Sequence, residues 1–466
     1  MISRTMDTDE FKRHIESGKR CHLVGIGGVS MSPLAEVLRG SGVDITGSDM
    51  NDSPSVNRLR TIGIDVKVGH SAENVQGAGL LIRTAAARED NVEVIAAHEM
   101  GIPVFERAEA WGYIMRGYKN AVCVAGAHGK TTTTSMITYI LLAAQADPTI
   151  MIGGILPRLG SGYRVGKGNV IAIEADEYYN SYHCFFPTVA VVLNVDADHL
   201  DFFKDLDDVK NSFRKFASLV PEGGHIICNG DDENTLQALA PLGRELLTFG
   251  HGESVRVRGV DIQAEGRNPS MTVTYDGKAF CEIKLMVPGA QNLKNALAAV
   301  AVAIALGIPV KAIEEGLNTY SGVGRRFDYK GTVNGADVYD DYAHHPSELR
   351  ALLDAVSSLE YKRTILAFQP HTFSRTRALF DDFVKELSRP DVTYLAEIYA
   401  AREKDDITIS SGILAGAVPG AICFPTLDDL TKALASVAGE GDIILTVGAG
   451  DIYTVGDALV ANYSAE

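Results

Sequence analysis

The stretch NAVCVAGAHGKTTTTSMITYILLAAQ, residues 120–145, contains an apolar strand, a glycine turn and a helix in direct succession. Backbone N–H groups of the turn, residues 126–129, can surround a polyphosphate at the positive end of the helix. Lys130 can neutralise phosphate oxygens, and the Thr131 hydroxyl can reach Mg²⁺. Val124 stands where the longer GxxxxGK[ST] pattern has its first glycine. The stretch therefore predicts a shortened phosphate loop in an α/β domain, with an ordinary strand-to-helix turn as the alternative.

Acidic residues follow the next two predicted strands. The strand at 170–173 runs into Glu174-Ala175-Asp176-Glu177, and the strand at 188–193 runs into NVDADH, residues 194–199. Because side chains alternate along a strand, Glu174 and Asp176 are expected to share a face. Carboxylates suit Mg²⁺, and His199 beside them suggests a second, softer site. Each cluster alone is more typical of a solvated strand end or helix cap, but next to a phosphate loop we interpret them as metal ligands.

A second glycine turn lies near the N-terminus, in GIGGVS at residues 25–30. Gly25, Gly27 and Gly28 nearly match GxGxxG, with Ser30 in place of the third glycine. Asp49 closes the strand that follows. A tight turn, close backbone approach and an acidic residue are typical of dinucleotide binding. The pattern favours a pyrophosphate ligand, and NAD is one alternative.

Histidine, tyrosine and arginine side chains follow two of three apolar stretches near the C-terminus. Tyr342, His344 and His345 follow the first stretch, and His371 and Arg375 follow the second. The third stretch runs into VGAGD at residues 447–451. If these stretches are strands of one sheet, the five side chains line one rim suited to an anionic substrate.

Length and charge restrict the class of protein. The 466 residues are about three times the usual domain length, so two or three domains are expected. The net charge of −17 argues against a nucleic-acid or anionic-membrane partner. Six scattered cysteines, a polar N-terminus and the lack of a long apolar run favour a reduced cytoplasmic protein without a membrane span. Its oligomeric state stays open between monomer and dimer.

These motifs together resemble the Mur ligase family, the ATP-dependent amide-forming enzymes of peptidoglycan synthesis. The resemblance covers nearly the whole chain and rests on GIGGVSMS, AGAHGKTTTT, IEADE, NVDADHLD, VPGAQNLKNALAA, GVGRRFD, DDYAHHPSE, FQPHTFSRT and VGAGDI. It implies three α/β domains. These are a Rossmann-like UDP-sugar domain at 1–115, a P-loop ATPase-like parallel sheet at 116–321, and a Rossmann-like domain at 322–466 that binds the amino acid and closes on ATP.

The resemblance also implies roles for the residues that match family motifs. ATP would contact Gly126, Ala127, His128, Gly129, Lys130, Thr131, Thr132, Asn292, Asn295 and Arg325, with the two asparagines near adenine. The UDP-sugar would contact Gly25, Gly27, Gly28, Ser30, Asp49, Asn194 and His371. Magnesium would be held by Thr131, Glu174 and His199, and the amino acid by Tyr342, His345 and Arg375. The expected catalytic set is Lys130, Glu174, His199, His344 and Arg375.

The expected reaction joins L-alanine to the lactyl carboxylate of UDP-N-acetylmuramate through an acyl phosphate, with ATP and Mg²⁺. Either the His344/His345 pair or the neighbourhood of Glu174 would deprotonate the amine. One alternative is a family member that ligates whole murein tripeptides, although FQPHTFSRT and VGAGDI favour the alanine reaction. Others are an NAD-dependent oxidoreductase built on the first glycine turn and a binding protein regulated by slow ATP hydrolysis.

Overall fold

The computed structural model describes residues 8–197, 202–401, 403 and 408–463. The chain forms two compact units, Met1–Val257 with Ala298–Gly316 and Arg258–Leu297 with Leu317–Glu466. Within the described residues, no helix has both the length and the apolar character that crossing a bilayer requires.

The first sheet belongs to the first unit and is entirely parallel, in the order β3-β2-β1-β4-β5. Its strands are β1 (Arg20–Val24), β2 (Ile45–Asp49), β3 (Asp65–Val68), β4 (Ala78–Arg83) and β5 (Val104–Glu106). The accompanying helices are α1 (Thr8–Glu16), α2 (Met31–Gly40), α3 (Pro54–Thr61), α4 (Val92–Glu99) and α5 (Arg107–Met115), with a 3-10 helix at Ala72–Val75. The first strand ends at Val24 because Gly25 leaves the extended conformation with φ +76°.

The second sheet of this unit carries the phosphate loop. Its elements are β6 (Asn120–Ala125), α6 (Lys130–Ala143), β7 (Thr149–Leu156), β8 (Ser161–Arg164), β9 (Val170–Glu174), β10 (Val189–Val192), α7 (Leu206–Ser218), β11 (His225–Asn229), α8 (Glu233–Leu239) and β12 (Leu246–Gly250), with 3-10 helices at Tyr178–Cys184 and Ala240–Leu242. These strands follow the order β12-β11-β10-β6-β9-β7-β8. Neighbouring strands in this order are parallel, except in the antiparallel β7–β8 hairpin. Because β6 lies between β9 and β10, the polar ends of three strands meet at one sheet edge.

Three strands and two helices connect this part of the chain to the C-terminal sheet. They are β13 (Val257–Gln263), β14 (Ser270–Tyr275), β15 (Lys278–Lys284), α9 (Ala290–Ala305) and α10 (Val310–Asn318). Strands β14 and β15 form an antiparallel pair.

The C-terminal sheet has the order β16-β17-β21-β18-β19-β20 and is parallel apart from the β16–β17 pair. Its elements are β16 (Asp328–Val333), β17 (Ala336–Asp341), α11 (Pro346–Ser357), β18 (Arg363–Phe368), α12 (Phe373–Ala378), α13 (Phe380–Leu387), β19 (Val392–Ala396), α14 (Ser411–Ala417), β20 (Ile422–Phe424), α15 (Leu427–Val437), β21 (Asp442–Val447) and α16 (Tyr453–Tyr463). Separate apolar clusters contribute to the core of this part of the chain. The described part of the chain has three sheets, one for each predicted domain, and the predicted three-domain α/β class is therefore confirmed, whereas the boundaries at 115/116 and 321/322 stay predictions.

Candidate active site

The phosphate loop lies between β6 and α6, where the sequence predicts it. Gly129 precedes the helix with φ +86°, a left-handed conformation that favours glycine. Asn194, which follows the neighbouring strand β10, forms hydrogen bonds with the loop. Its Oδ1 accepts from His128 N at 2.9 Å, and its Nδ2 donates to His128 O at 3.0 Å. The structure thus places Asn194 on the phosphate loop, and its predicted contact with the UDP-sugar stays a prediction.

The loop lysine is paired with a carboxylate that sequence reasoning did not single out. Lys130 Nζ donates to Gly126 O at 2.6 Å and to the two Glu177 oxygens at 2.8 and 3.1 Å. Glu177 is only 2% exposed. Burial lowers the pKa of Lys130, but the charges of Glu177, Asp176 and Glu174 outweigh it and leave that pKa raised. Lys130 is therefore a charged ammonium group at the sheet edge.

Thr131 and Glu174 form the oxygen pair expected of a metal site. Thr131 Oγ1 donates to Glu174 Oε2 at 3.0 Å, and Gly153 N donates to Glu174 Oε1 at 2.5 Å. No group of three or more His, Cys, Asp or Glu side chains suited to a metal occurs in the part of the chain that the structure describes. One carboxylate and one hydroxyl fit Mg²⁺, which usually takes its remaining ligands from water and phosphate. His199, the third predicted ligand, lies outside the described residues.

The N-terminal glycine turn brings together the five residues predicted there. Gly27 N donates to Asp49 Oδ2 at 2.9 Å, and Gly28 N donates to Gly25 O at 3.1 Å. A Cβ on Gly27 would lie 2.8 Å from a Val56 methyl and 3.0 Å from Asp49 Oδ2, so the turn requires glycine. Asp49 therefore supports the turn from the end of β2, at the sheet edge where α/β folds bind nucleotides.

Ser30 links this turn to the sheet that carries the phosphate loop. Its hydroxyl donates to Met151 Sδ of β7 at 3.1 Å, and its carbonyl accepts from Trp111 Nε1 at 3.2 Å. In the same compact unit, the Tyr163 hydroxyl of β8 donates to Glu36 of α2. Hydrogen bonds therefore join the β7–β8 hairpin to helix α2 and to the glycine turn that ends at Ser30.

The C-terminal rim brings two of its predicted histidines together. The rings of His344 and His371 lie 5.7 Å apart, and Arg375 Nη1 lies 3.2 Å from His371 Nδ1. Burial lowers the pKa of His344. Burial, with His344 and Arg375 nearby, lowers the pKa of His371 to about 4. Both imidazoles are consequently neutral near pH 7, while Arg375 supplies positive charge.

Two other predicted residues of the second unit make structural contacts. His345 is the N-cap of α11, where its Nδ1 accepts from Ser347 N at 3.3 Å. Arg325 Nε donates to the buried Asp340 Oδ2 at 3.1 Å, and its guanidinium also donates to Gly448 O at 2.7 Å. Their predicted roles at the amino acid and ATP stay predictions.

Tyr342 and the two asparagines also belong to the predicted set. Tyr342 O lies 3.0 Å from His344 Nδ1, so Tyr342 belongs to the rim. Asn292 and Asn295 are three residues apart on α9, and Asn295 Nδ2 donates to Asn292 Oδ1 at 3.4 Å. One face of α9 therefore carries both amides, and their predicted contact with adenine stays a prediction.

The structure combines a phosphate loop that carries a charged lysine, an adjacent hydroxyl–carboxylate pair, and a glycine turn at a second sheet. Together these features define a nucleotide-binding α/β enzyme. Family models match in three consecutive parts: "Mur ligase family, catalytic domain" at residues 20–119, "Mur ligase middle domain" at 124–303 and "Mur ligase, glutamate ligase domain" at 325–450. The chain belongs to the Mur ligase family.

Individual relatives match over nearly the full length. The chain is 44% identical to UDP-N-acetylmuramate–L-alanine ligase of Caldanaerobacter subterraneus subsp. tengcongensis, covering 95% of this chain and 97% of that protein. It is 43% identical to the protein of the same name from Clostridium botulinum strain Langeland, covering 96% and 98%. The crystal structure of the Thermotoga maritima UDP-N-acetylmuramate–alanine ligase matches with TM-score 0.80 and 29% identity, covering 95% and 98%. A murein peptide ligase from Psychrobacter arcticus, at 22% identity and TM-score 0.71, shares the fold.

Proposed function

We propose that the chain is an ATP-dependent ligase that joins L-alanine to the lactyl carboxylate of UDP-N-acetylmuramate, releasing ADP and phosphate. The observation that carries this proposal is the Lys130 loop beside the Thr131–Glu174 pair, in a chain 44% identical to a ligase of that name over 448 residues. The reaction is a step in the synthesis of peptidoglycan precursors.

Phosphorylation is needed because a carboxylate cannot acylate an amine directly, since oxide would be the leaving group. The lactyl carboxylate oxygen attacks the γ-phosphorus of ATP, the bond to the β-phosphate oxygen breaks, and an acyl phosphate and ADP form. Lys130 stabilises the negative charge that spreads over the transferring group. Bound Mg²⁺, for which Thr131 and Glu174 are the proposed ligands, would neutralise phosphate charge.

The second half-reaction needs a base for the alanine ammonium group. Both groups near His344 Nδ1 are acceptors, Tyr342 O at 3.0 Å and Glu348 Oε2 at 3.3 Å. The proton therefore belongs on Nδ1, and Nε2 carries a lone pair. His345 Nδ1 is occupied at the helix cap. His344 is thus the better candidate to take the proton before the amine attacks the acyl carbon and phosphate leaves.

The remaining assignments are parts of the same proposal. Gly25, Gly27, Gly28, Ser30 and Asp49 form a turn that suits the pyrophosphate of the sugar nucleotide. Tyr342, His371 and Arg375 form a rim whose cation suits a carboxylate. A reaction that consumes ATP and a nucleotide-linked sugar is consistent with the cytoplasmic location predicted from the sequence.

The test combines the protein with ATP, Mg²⁺, UDP-N-acetylmuramate and one amino compound at a time, followed by mass spectrometry. We expect a product one alanyl residue heavier with L-alanine, and its loss in Lys130→Ala but not in Lys12→Ala, which alters a lysine 55% exposed on α1. Ligation of L-alanyl-γ-D-glutamyl-meso-diaminopimelate instead would support the tripeptide alternative. ATP hydrolysis that no amino compound stimulates would contradict both ligase assignments.

A further inference from the structure

Strand β7 passes beside the proposed metal ligands at a point where its pairing ends. Met151 is the last residue of β7 in register with β9, opposite Ile173. The pairing of β7 with β8 is irregular between Met151 and Leu156. Gly153 lies in this interval and is exposed. Its N–H donates to Glu174 Oε1 at 2.5 Å. A backbone donor of β7 is thus directed at the carboxylate that ends β9.

The two oxygens of that carboxylate have different partners. Oε1 accepts from Gly153 N, and Oε2 accepts from Thr131 Oγ1 at 3.0 Å. A carboxylate held at both oxygens has few orientations left, and a metal ligand gains affinity when its neighbours fix its orientation. Gly153 therefore fixes the half of the carboxylate that Thr131 does not contact.

Glycine at residue 153 is important because of the space beside the Thr131–Glu174 pair, and not because of its backbone conformation. Its φ lies outside the left-handed range, so other residues could adopt this backbone. A Cβ there would lie 3.2 Å from Glu174 Oε2, 3.4 Å from Glu174 Oε1 and 3.5 Å from Thr131 Oγ1. A methyl group would therefore contact all three oxygens of the Thr131–Glu174 pair, which are the proposed metal ligands.

We propose that Gly153 is a positioning residue of the magnesium–nucleotide site, which orients Glu174 through its N–H and leaves the Thr131–Glu174 oxygens uncovered because it has no side chain. The inference rests on the proposed ATP-dependent function, because it requires a nucleotide–magnesium complex at this site. It assigns to β7 a direct part in the site, in addition to the hydrogen bond between its Met151 and the Ser30 turn.

Titration calorimetry of ADP binding, with Mg²⁺ and again in EDTA, distinguishes a role at the magnesium site from a general effect on nucleotide binding. Gly153→Ala keeps the N–H but adds the methyl group, and Gly40→Ala is the matched control because a Cβ there meets nothing within 4 Å. Outer-shell changes typically cost about 10- to 100-fold in metal affinity, so we expect Gly153→Ala to weaken ADP binding about tenfold in Mg²⁺. In EDTA its affinity should equal that of the wild type, and Gly40→Ala should match the wild type in both buffers.

Unchanged binding by Gly153→Ala in Mg²⁺, or an equal loss in both buffers, overturns the inference. Failure of the wild type to bind ADP with Mg²⁺ instead counts against the proposed function, and the inference falls with it.

Hydrogen exchange of the wild type tests the N–H contact even if Gly153→Ala does not fold. In EDTA, the Gly153 amide should exchange slowly although it is exposed, and Glu174→Ala should accelerate it. Rapid exchange of this amide in the wild type would contradict the proposed contact.

Discussion

Replacing Glu177 by glutamine removes the charge that faces Lys130 while keeping the size of the side chain. The carboxylate is 2% exposed, and both of its oxygens accept from Lys130 Nζ, at 2.8 and 3.1 Å. Removing one partner of a buried ion pair costs roughly 3–5 kcal/mol. Glutamine keeps a neutral acceptor worth about 1 kcal/mol. We therefore expect the free energy of unfolding to fall by about 2–4 kcal/mol in Glu177→Gln.

Nucleotide should recover much of this loss, because ADP phosphates supply negative charge to the same ammonium group. A ligand that binds only the folded protein stabilises it by mass action. We expect Glu177→Gln to bind ADP about tenfold more tightly than the wild type, which corresponds to about 1.4 kcal/mol. The difference in stability between the two proteins should accordingly shrink by about 1.4 kcal/mol at saturating ADP.

Urea unfolding followed by tryptophan fluorescence measures both effects, since Trp111 is the single tryptophan, is buried and lies in the same compact unit. Glu93→Gln is the matched control. Glu93 is also a buried carboxylate of this unit, but its partners include Ser48 and Asn74 and no lysine. It should lose stability without recovery by ADP. Equal stability of Glu177→Gln and wild type, or a loss that ADP does not reduce, would refute the reasoning about Lys130.

Three further predictions concern other contacts. Burial lowers the pKa of His371 from 6.5 to about 4, so the unfolded chain binds the proton first as the pH falls. The contribution of His371 to stability should be full above pH 6.5 and should decline toward pH 4. The melting temperature of His371→Gln should therefore decline less steeply over this range than that of the wild type. Arg325→Met leaves the buried Asp340 without its guanidinium partner and should cost roughly 3 kcal/mol or more in urea unfolding, with partial recovery when Asp340→Asn is added. Tyr163→Phe removes the hydrogen bond to Glu36 and should cost about 1–2 kcal/mol, with faster hydrogen exchange in β7–β8 and unchanged exchange in the C-terminal sheet.

The phosphate loop was predictable because its signal is local. A buried strand, a glycine turn and a helix beginning at Lys130 are adjacent in the chain, so the position of Thr131 follows from its neighbours. The glycine turn before Ser30 was predictable for the same reason. Pairing Thr131 with Glu174 required only that β6, which leads into the loop before Thr131, and β9, which ends at Glu174, be neighbours in one parallel sheet, and they do pair.

Contacts that depend on strand order or on irregular backbone were not predictable. The pairing of Glu177 with Lys130 was missed because β9 ends at Glu174 and strand alternation no longer applies beyond it. Asn194 braces the phosphate loop because β10 lies beside β6, an order that its own segment does not encode. The position of His345 as a helix N-cap could have been predicted from the sequence. A cap residue followed by proline and then by Glu348 at the third helical position is typical of a helix start.

The most direct test of the central claim follows oxygen from the carboxylate that is to be activated. UDP-N-acetylmuramate labelled with ¹⁸O in its lactyl carboxylate is incubated with the protein, ATP, Mg²⁺ and L-alanine, and both products are analysed by mass spectrometry. The proposed mechanism predicts one ¹⁸O atom in the inorganic phosphate for each alanyl residue added to the sugar nucleotide. Amide product accompanied by unlabelled phosphate, or no alanine-containing product, would contradict it.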